Sequence, residues 1–165
     1  METTGRARQR DLYVSVIGAG RAEKTLDGLA EEVGRLIAGM GAILVCGGLS
    51  GVMEAAARGA KRAGGRTVGI LPGHDRSLAN DYLDTIVTTG MGHARNLAVV
   101  SSGDAVVAVG GEYGTLSEIG LAAKIGRPVV LLRGWRLARE EGTDGIYYAL
   151  TPEEAIARVR EALDL

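Results

Sequence analysis

The amino-acid sequence predicts one α/β domain, in which helices cover both faces of a parallel sheet of about six or seven strands. Three observations lead to this fold class. Short, almost entirely apolar runs alternate with segments of helical periodicity, most of those runs end at glycine, and 165 residues suffice for a single domain. A sheet exposed on one face would show polar residues at every second strand position. We therefore predict a doubly wound, Rossmann-like domain over residues 12–165, preceded by a mobile tail over residues 1–11.

The individual elements follow in chain order. Strands are predicted at 12–18, 42–46, 66–73, 84–89, 104–110, 128–132 and 147–150. Helices are predicted at 23–40, 50–65, 93–102 and 115–126, with a last helix after residue 151. This last helix has a complete start signal, because Thr151 can cap it, Pro152 suits its first position and Glu154 completes a capping box. Residues 133–145 are charged and contain glycine, which predicts an exposed loop.

Composition and charge exclude several classes of protein. Hydrophobic residues make up 46% and charged residues 24% of the chain, which is typical of a soluble globular protein rather than a disordered or fibrous one. The net charge of −1 creates no field that would attract nucleic acid or an anionic lipid surface. No apolar run is long enough to cross a bilayer, and the single cysteine, Cys46, rules out an intrachain disulfide. We therefore expect a cytoplasmic protein without nucleic-acid or membrane partners.

Two glycine-rich turns follow predicted strands and open predicted helices. The first contains Gly47, Gly48, Ser50 and Gly51, and the second contains Gly110, Gly111, Gly114 and Thr115. In a parallel sheet such turns leave the same edge, which is where ligands bind. Missing side chains let backbone N–H groups surround a phosphate, and a helix N-terminus adds a partial positive charge. Each glycine alone could simply make a tight turn, but two such loops at one edge favour a phosphate site.

Several familiar sites lack their motifs. The first strand ends at Gly18-Ala19-Gly20, but Glu23 stands where a dinucleotide fingerprint has its third glycine. No G-K-[ST] occurs and all three lysines lie in predicted helices, which disfavours a P-loop and a Schiff-base lysine. The two histidines lie far apart without carboxylates at ligand spacing, so we predict no metal site.

Arg95 and Glu118 are the candidate catalytic residues. Arg95 falls in the first turn of a predicted helix, where a cation opposes the helix dipole unless an anion lies nearby. A solvated or ion-paired arginine is the alternative interpretation. Glu118 follows the second glycine loop, but Thr115-x-x-Glu118 also fits a capping box, so a purely structural role for this glutamate stays open.

The two loops, together with the GMGHARN segment at 90–96 between them, resemble the Lonely Guy family, long labelled lysine decarboxylase-like, and the related molybdenum cofactor carrier proteins. Residues 47–53 are similar to the family's G-G-x-x-G-x-M loop, and residues 110–118 are similar to its P-G-G-x-G-T-x-x-E signature. Arg95 resembles the arginine of the family's R-K pair. Asn96 replaces the lysine of that pair, which brings the chain closer to the carrier-like branch.

This resemblance implies a function for the two loops. In the enzymes the signature holds the phosphate of a nucleoside 5′-monophosphate, which here implies Gly111, Gly114 and Thr115. Arg95 and Glu118 would then assist hydrolysis of the N-glycosidic bond, a phosphoribohydrolase reaction that requires no cofactor. The carrier-like branch implies the alternative, which is non-enzymatic binding of a nucleotide or of the molybdenum cofactor. Lysine decarboxylation is not expected.

The resemblance also implies a homodimer or higher homo-oligomer. Family members pair through helices beside the active site. In this chain the alanine-rich segments around 53–60 and 119–123 offer small side chains for close packing of such helices.

Overall fold

The structure is a computed structural model that describes residues 10–21 and 23–165. Within these ranges it contains one seven-stranded sheet and five α-helices, which confirms the predicted fold class. Strands β1 to β7 span Tyr13–Gly18, Ile43–Cys46, Arg66–Leu71, Thr85–Thr88, Ala105–Val109, Val129–Leu132 and Ile146–Ala149. Helices α1 to α5 span Lys24–Gly39, Val52–Arg62, Arg95–Ser102, Tyr113–Lys124 and Pro152–Ala162. Residues 1–9 of the predicted mobile tail lie outside the described ranges. Within the described ranges, no helix is long and apolar enough to span a membrane.

All neighbouring strands pair in parallel, in the order β4-β3-β2-β1-β5-β6-β7. The chain builds outward from β1 to β4 and then returns to place β5 on the other side of β1. Helix α1, which follows β1, packs on one face of the sheet, and α4, which follows β5, packs on the opposite face. The loops after β1 and β5 therefore diverge and leave a crevice, which is the usual ligand site in open α/β sheets.

The central strands bury side chains on both faces. In β5, Val107 and Val109 pack into the core beneath α1, α2 and α5, whereas Val106 and Ala108 pack against α3 and α4. All five residues of this strand are buried. Two-sided burial is the physical reason for the continuous apolar runs in the sequence, because no position of these strands faces water.

Helices α1 and α2 approach each other closely at two glycines. A Cβ atom on Gly34 would collide with the carbonyl oxygen of Ala56, and one on Gly59 would collide with the carbonyl oxygen of Glu31. The alanines of α2 are fully buried inside the chain as well. They are therefore not available for the intersubunit contact predicted around 53–60, and the homodimer stays a prediction.

Helix α4 begins earlier than the sequence predicted. Its first residue is Tyr113, and Glu112 occupies the N-cap position in an extended conformation without a side-chain cap. Thr115 is therefore the third helical residue and not the cap. The capping-box interpretation of Thr115 and Glu118 is wrong, because the helix already continues through both residues. The start of α5 does follow its prediction, since the Glu154 N–H donates to Oγ1 of Thr151 at 3.2 Å.

Candidate functional site

A cavity of about 600 Å³ opens at the crevice between β1 and β5. Its walls are formed by the end of β1, the loops that follow β1, β2 and β5, the segment before α3, and the N-terminal parts of α2, α3 and α4. Its volume is in the range typical of small-molecule sites, about 300 to 1,000 Å³. The cavity is therefore the candidate binding site of this protein.

The structure brings most of the predicted site residues to this cavity. Its lining includes both candidate catalytic residues, Arg95 and Glu118. It also includes four of the predicted phosphate ligands, namely Gly47, Ser50, Gly114 and Thr115. The other four do not line it, and they have positive φ angles: 78° at Gly48, 71° at Gly51, 58° at Gly110 and 102° at Gly111. These four glycines shape the turns, because other residues rarely adopt such φ angles.

Arg95 is the first residue of α3, and only 9% of it is exposed. Its Nη1 donates hydrogen bonds to the carbonyl oxygens of Gly47 at 2.6 Å and Ile70 at 2.9 Å, which lie at the ends of β2 and β3. Its buried Nε has no hydrogen-bond partner among the described residues. Burial lowers the pKa of Arg95, and the nearby Glu118 opposes this shift. The guanidinium group thus joins two strand ends and keeps an unused donor, which rules out the alternative of a solvated arginine.

Glu118 lies in α4 and lines the same cavity. Burial raises the pKa of Glu118 to about 7, although the positive charge of Arg95 acts in the opposite direction. No hydrogen bond from the part of the chain that the structure describes contributes to this pKa. The carboxyl group is therefore divided between its protonated and ionised forms near neutral pH, as suits a general acid or base.

The N-terminus of α4 offers backbone donors to the cavity. Leu116 is the first residue of this helix whose N–H reaches a carbonyl oxygen of the preceding turn, that of Glu112 at 2.9 Å. The N–H groups of Tyr113, Gly114 and Thr115 consequently have no acceptor within the helix. A Cβ atom on Gly114 would meet no atom within 4 Å, so packing does not require this glycine. An anion can approach these N–H groups closely and interact with the helix dipole.

The N-terminus of α2, by contrast, is covered by the β1–α1 loop. The Val52 N–H donates to the carbonyl oxygen of Ala19 at 3.0 Å, and the Ser50 hydroxyl donates to that of Gly20 at 2.8 Å. A Cβ atom on Gly51 would collide with the Ala19 carbonyl oxygen. The first glycine loop therefore contributes to the cavity wall, whereas the exposed helix N-terminus is that of α4.

Asn80 holds the first glycine loop from its other side. Its N–H donates to the carbonyl oxygen of Gly48 at 2.9 Å, and its Nδ2 donates to that of Leu49 at 2.9 Å. Asn80 follows β3 in a polar segment without a recognisable motif, so no sequence pattern indicated this contact.

Four polar side chains of the cavity were not among the predicted site residues: Arg21, His93, Asn96 and Glu112. Arg21 belongs to the first βα turn, which lacks the third glycine of a dinucleotide fingerprint. Its two glycines after a buried strand were the available signal. Within residues 10–21 and 23–165, no three His, Cys, Asp or Glu side chains form a group that could hold a metal ion.

The sequence matches known proteins along most of its length. A family model described as the SLOG cluster4 family matches residues 11–156. An uncharacterised protein of Archaeoglobus fulgidus is 44% identical over 151 residues, which cover 88% of this chain and 92% of that protein. A cytokinin riboside 5′-monophosphate phosphoribohydrolase of Mycobacterium tuberculosis is 34% identical over 116 residues, which cover 65% of this chain and 62% of the relative.

Two solved structures share the fold of almost the whole chain. The molybdenum cofactor binding protein of Rippkaea orientalis has a TM-score of 0.87 and 38% identity, with 94% of this chain and 99% of that chain covered. The molybdenum cofactor carrier protein of Chlamydomonas reinhardtii has a TM-score of 0.85 and 36% identity, with 94% and 100% covered. The chain therefore belongs to the SLOG cluster4 family, in the Lonely Guy superfamily and near its molybdenum cofactor carrier branch.

Proposed function

We propose that the cavity binds a phosphorylated, nucleotide-like ligand, and that Arg95 and Glu118 hydrolyse the N-glycosidic bond of a nucleoside 5′-monophosphate there. The observation that carries this proposal is the partly buried Glu118 carboxyl group in the same cavity as Arg95, with a pKa of about 7 that suits proton transfer at neutral pH. The similarity to the phosphoribohydrolase of M. tuberculosis supports the same reaction class.

The phosphate is assigned to the N-terminus of α4. Gly114 and Thr115 line the cavity at this helix end, and Gly114 leaves room for an oxygen atom to approach the free N–H groups of the first turn. Ribose attached to this phosphate would extend toward Arg95 and Glu118, which line the same cavity.

The reaction needs only groups that this arrangement supplies. Water adds to C1′ of the sugar as the C1′–N bond breaks, so that the products are the free base and ribose 5-phosphate. Ionised Glu118 stabilises the positive charge that develops on the sugar, or accepts a proton from the attacking water. The guanidinium group of Arg95, which lines the cavity, donates to a ligand oxygen, and the departing base takes up a proton from solvent.

The hydrolase proposal is tested with a panel of nucleoside 5′-monophosphates that includes N6-substituted adenosine monophosphate. We expect the wild-type protein to release free base and ribose 5-phosphate, and we expect Glu118→Gln and Arg95→Ala to abolish this release while circular dichroism stays unchanged. Glu153→Gln is the matched control, because Glu153 is an exposed glutamate of α5 outside the cavity. A wild-type protein that releases no base from any monophosphate would contradict the proposal.

The phosphate position is tested separately with Gly114→Ala. The added methyl group meets no protein atom but occupies the space of the bound anion, so the fold is kept and ligand affinity falls by about tenfold or more. Gly120→Ala is the control, because Gly120 lies in the same helix, has equally open surroundings and does not line the cavity. Equal affinities of the two variants would place the phosphate elsewhere.

The second candidate function is non-enzymatic binding of a nucleotide or of the molybdenum cofactor. The matches to cofactor binding and carrier proteins over 94% of the chain favour it. The N–H groups of α4 fit the phosphate that the pterin part of this cofactor carries. Cys46 is buried and burial raises the pKa of its thiol to about 11, so the chain offers no thiolate to molybdenum. A wild-type protein that cleaves no monophosphate but binds molybdopterin in calorimetry would establish this second function.

A cytoplasmic homodimer or higher homo-oligomer is also part of the proposal. The mass of one chain is 17.1 kDa. Light scattering at micromolar concentration is therefore expected to give at least twice this mass, and a uniform population of single chains would contradict the dimer.

A further inference from the structure

We propose that Arg21, in the loop between β1 and α1, selects phosphorylated ligands over their unphosphorylated counterparts. This inference rests on the proposed function, because it names the side chain that recognises the charge of the ligand's phosphate. Arg21 lines the cavity together with Gly18, Ala19 and Gly20 of the same loop.

The loop that carries Arg21 is held in place by hydrogen bonds from the first glycine loop and the start of α2. The carbonyl oxygens of Ala19 and Gly20 accept hydrogen bonds from the Val52 N–H and the Ser50 hydroxyl. A Cβ atom on Gly18 would lie 2.7 Å from the carbonyl oxygen of Val109, at the end of β5. The backbone before Arg21 is thus held between α2 and β5, at the edge of the cavity that the N-terminus of α4 also lines.

The charges of the cavity favour Arg21 as the phosphate ligand. Arg95 is buried, and its Nη1 already donates to two carbonyl oxygens. Arg21 is exposed, and no acidic side chain among the described residues lies within 4.0 Å of its guanidinium group. Arg21 is therefore the cationic side chain of the cavity that can turn its planar pair of donors toward a bound phosphate.

A counter-charge is needed because Glu112 and Glu118 line the same cavity. Glu112 is the N-cap of α4, so its carboxylate is attached to the helix end at which the phosphate is assigned. A phosphate dianion there gains the N–H groups of α4 but is repelled by this carboxylate, and the positive charge of Arg21 in the same cavity offsets the repulsion. A nucleoside without phosphate carries no charge and gains nothing from Arg21.

The test compares the binding of 5′-AMP and adenosine by calorimetry in the wild-type protein and in Arg21→Gln. We expect the affinity for AMP to fall by about 10- to 100-fold, as for the loss of a charge-assisted contact, while the affinity for adenosine stays unchanged. Arg21→Lys should recover part of the loss, because it restores the charge without the planar pair of donors. Arg76→Gln is the control for total charge, since Arg76 is exposed and outside the cavity, and it should leave the AMP affinity unchanged.

The outcomes separate this inference from the proposed function. If wild type prefers AMP to adenosine and Arg21→Gln keeps the same preference, Arg21 is not the selecting residue, although the proposed function stands. If Arg21→Gln loses affinity equally for both ligands, Arg21 supports the loop instead, and the inference is wrong. If wild type binds no phosphorylated nucleotide at millimolar concentration, the proposed function fails and the inference fails with it.

Discussion

Replacing Glu118 by glutamine should make the protein more stable at alkaline pH. Burial raises the pKa of Glu118 from its usual 4.5 to about 7 in the folded chain. The raised pKa makes a stability contribution that is complete below pH 4.5, where the carboxyl group is protonated in both states. This contribution is lost as the pH rises through 7, because the group ionises at a lower pH in the unfolded chain than in the folded chain. The uncharged amide of glutamine has no such pH dependence, so the two proteins should differ most in their response to pH.

The magnitude follows from the two pKa values. A tenfold change in the protonation equilibrium corresponds to about 1.4 kcal/mol, so ionising Glu118 in the folded rather than the unfolded chain costs about 3.5 kcal/mol at most. Solvent in the cavity screens part of this cost, and we therefore expect a change of about 2 kcal/mol in the unfolding free energy.

The assay is urea unfolding of wild type, Glu118→Gln and the control Glu153→Gln at about pH 4.5 and about pH 8.5. Between these values wild type and Glu153→Gln should lose about 2 kcal/mol relative to Glu118→Gln, because all other titrating groups contribute equally and cancel in the comparison. Parallel pH profiles for all three proteins would refute the argument, since they would mean that the carboxyl group of Glu118 ionises as readily in the folded as in the unfolded chain.

Two further predictions concern packing and reactivity. Gly34→Ala should lower the unfolding free energy by about 1 to 3 kcal/mol, because its Cβ atom collides with the Ala56 carbonyl oxygen. Gly28→Ala on the same helix meets no atom within 4 Å and should raise the unfolding free energy by up to about 1 kcal/mol. Equal urea midpoints of the two variants would contradict this prediction. Cys46 should stay unmodified by a thiol reagent at about pH 8 until the protein is unfolded, because burial raises the pKa of its thiol to about 11; rapid labelling of the native protein would show that β2 is accessible.

The sequence predicted the fold well because its strands are buried on both faces. A strand such as Ala105–Val109 is a continuous apolar run that ends at glycine, so its position follows from the local sequence alone. Such runs do not show which strands are neighbours in the sheet, because the pairing joins segments that are distant in the chain. The sequence predicted the start of α4 less well, because Thr115-x-x-Glu118 has the residue types of a capping box although the helix already begins at Tyr113.

The candidate site was predicted only in part for a related reason. Arg95 could be singled out because a cation in the first turn of a helix opposes the helix dipole. Glu118 could be singled out because it follows the second glycine loop. Arg21 has no such local signal, and its place in the cavity depends on the pairing of β1 with β5. Glycine content likewise does not distinguish Gly114, which is open to the cavity, from Gly111, whose added Cβ would collide with Thr115.

The most direct test of the proposed site is a crystal structure of the Glu118→Gln protein with bound 5′-AMP. We expect a phosphate within hydrogen-bond distance of the N–H groups of Gly114 and Thr115, and a ribose between Arg95 and residue 118. AMP bound outside this cavity, or with its phosphate at the N-terminus of α2, would contradict the assignment of the cavity between β1 and β5 as the functional site.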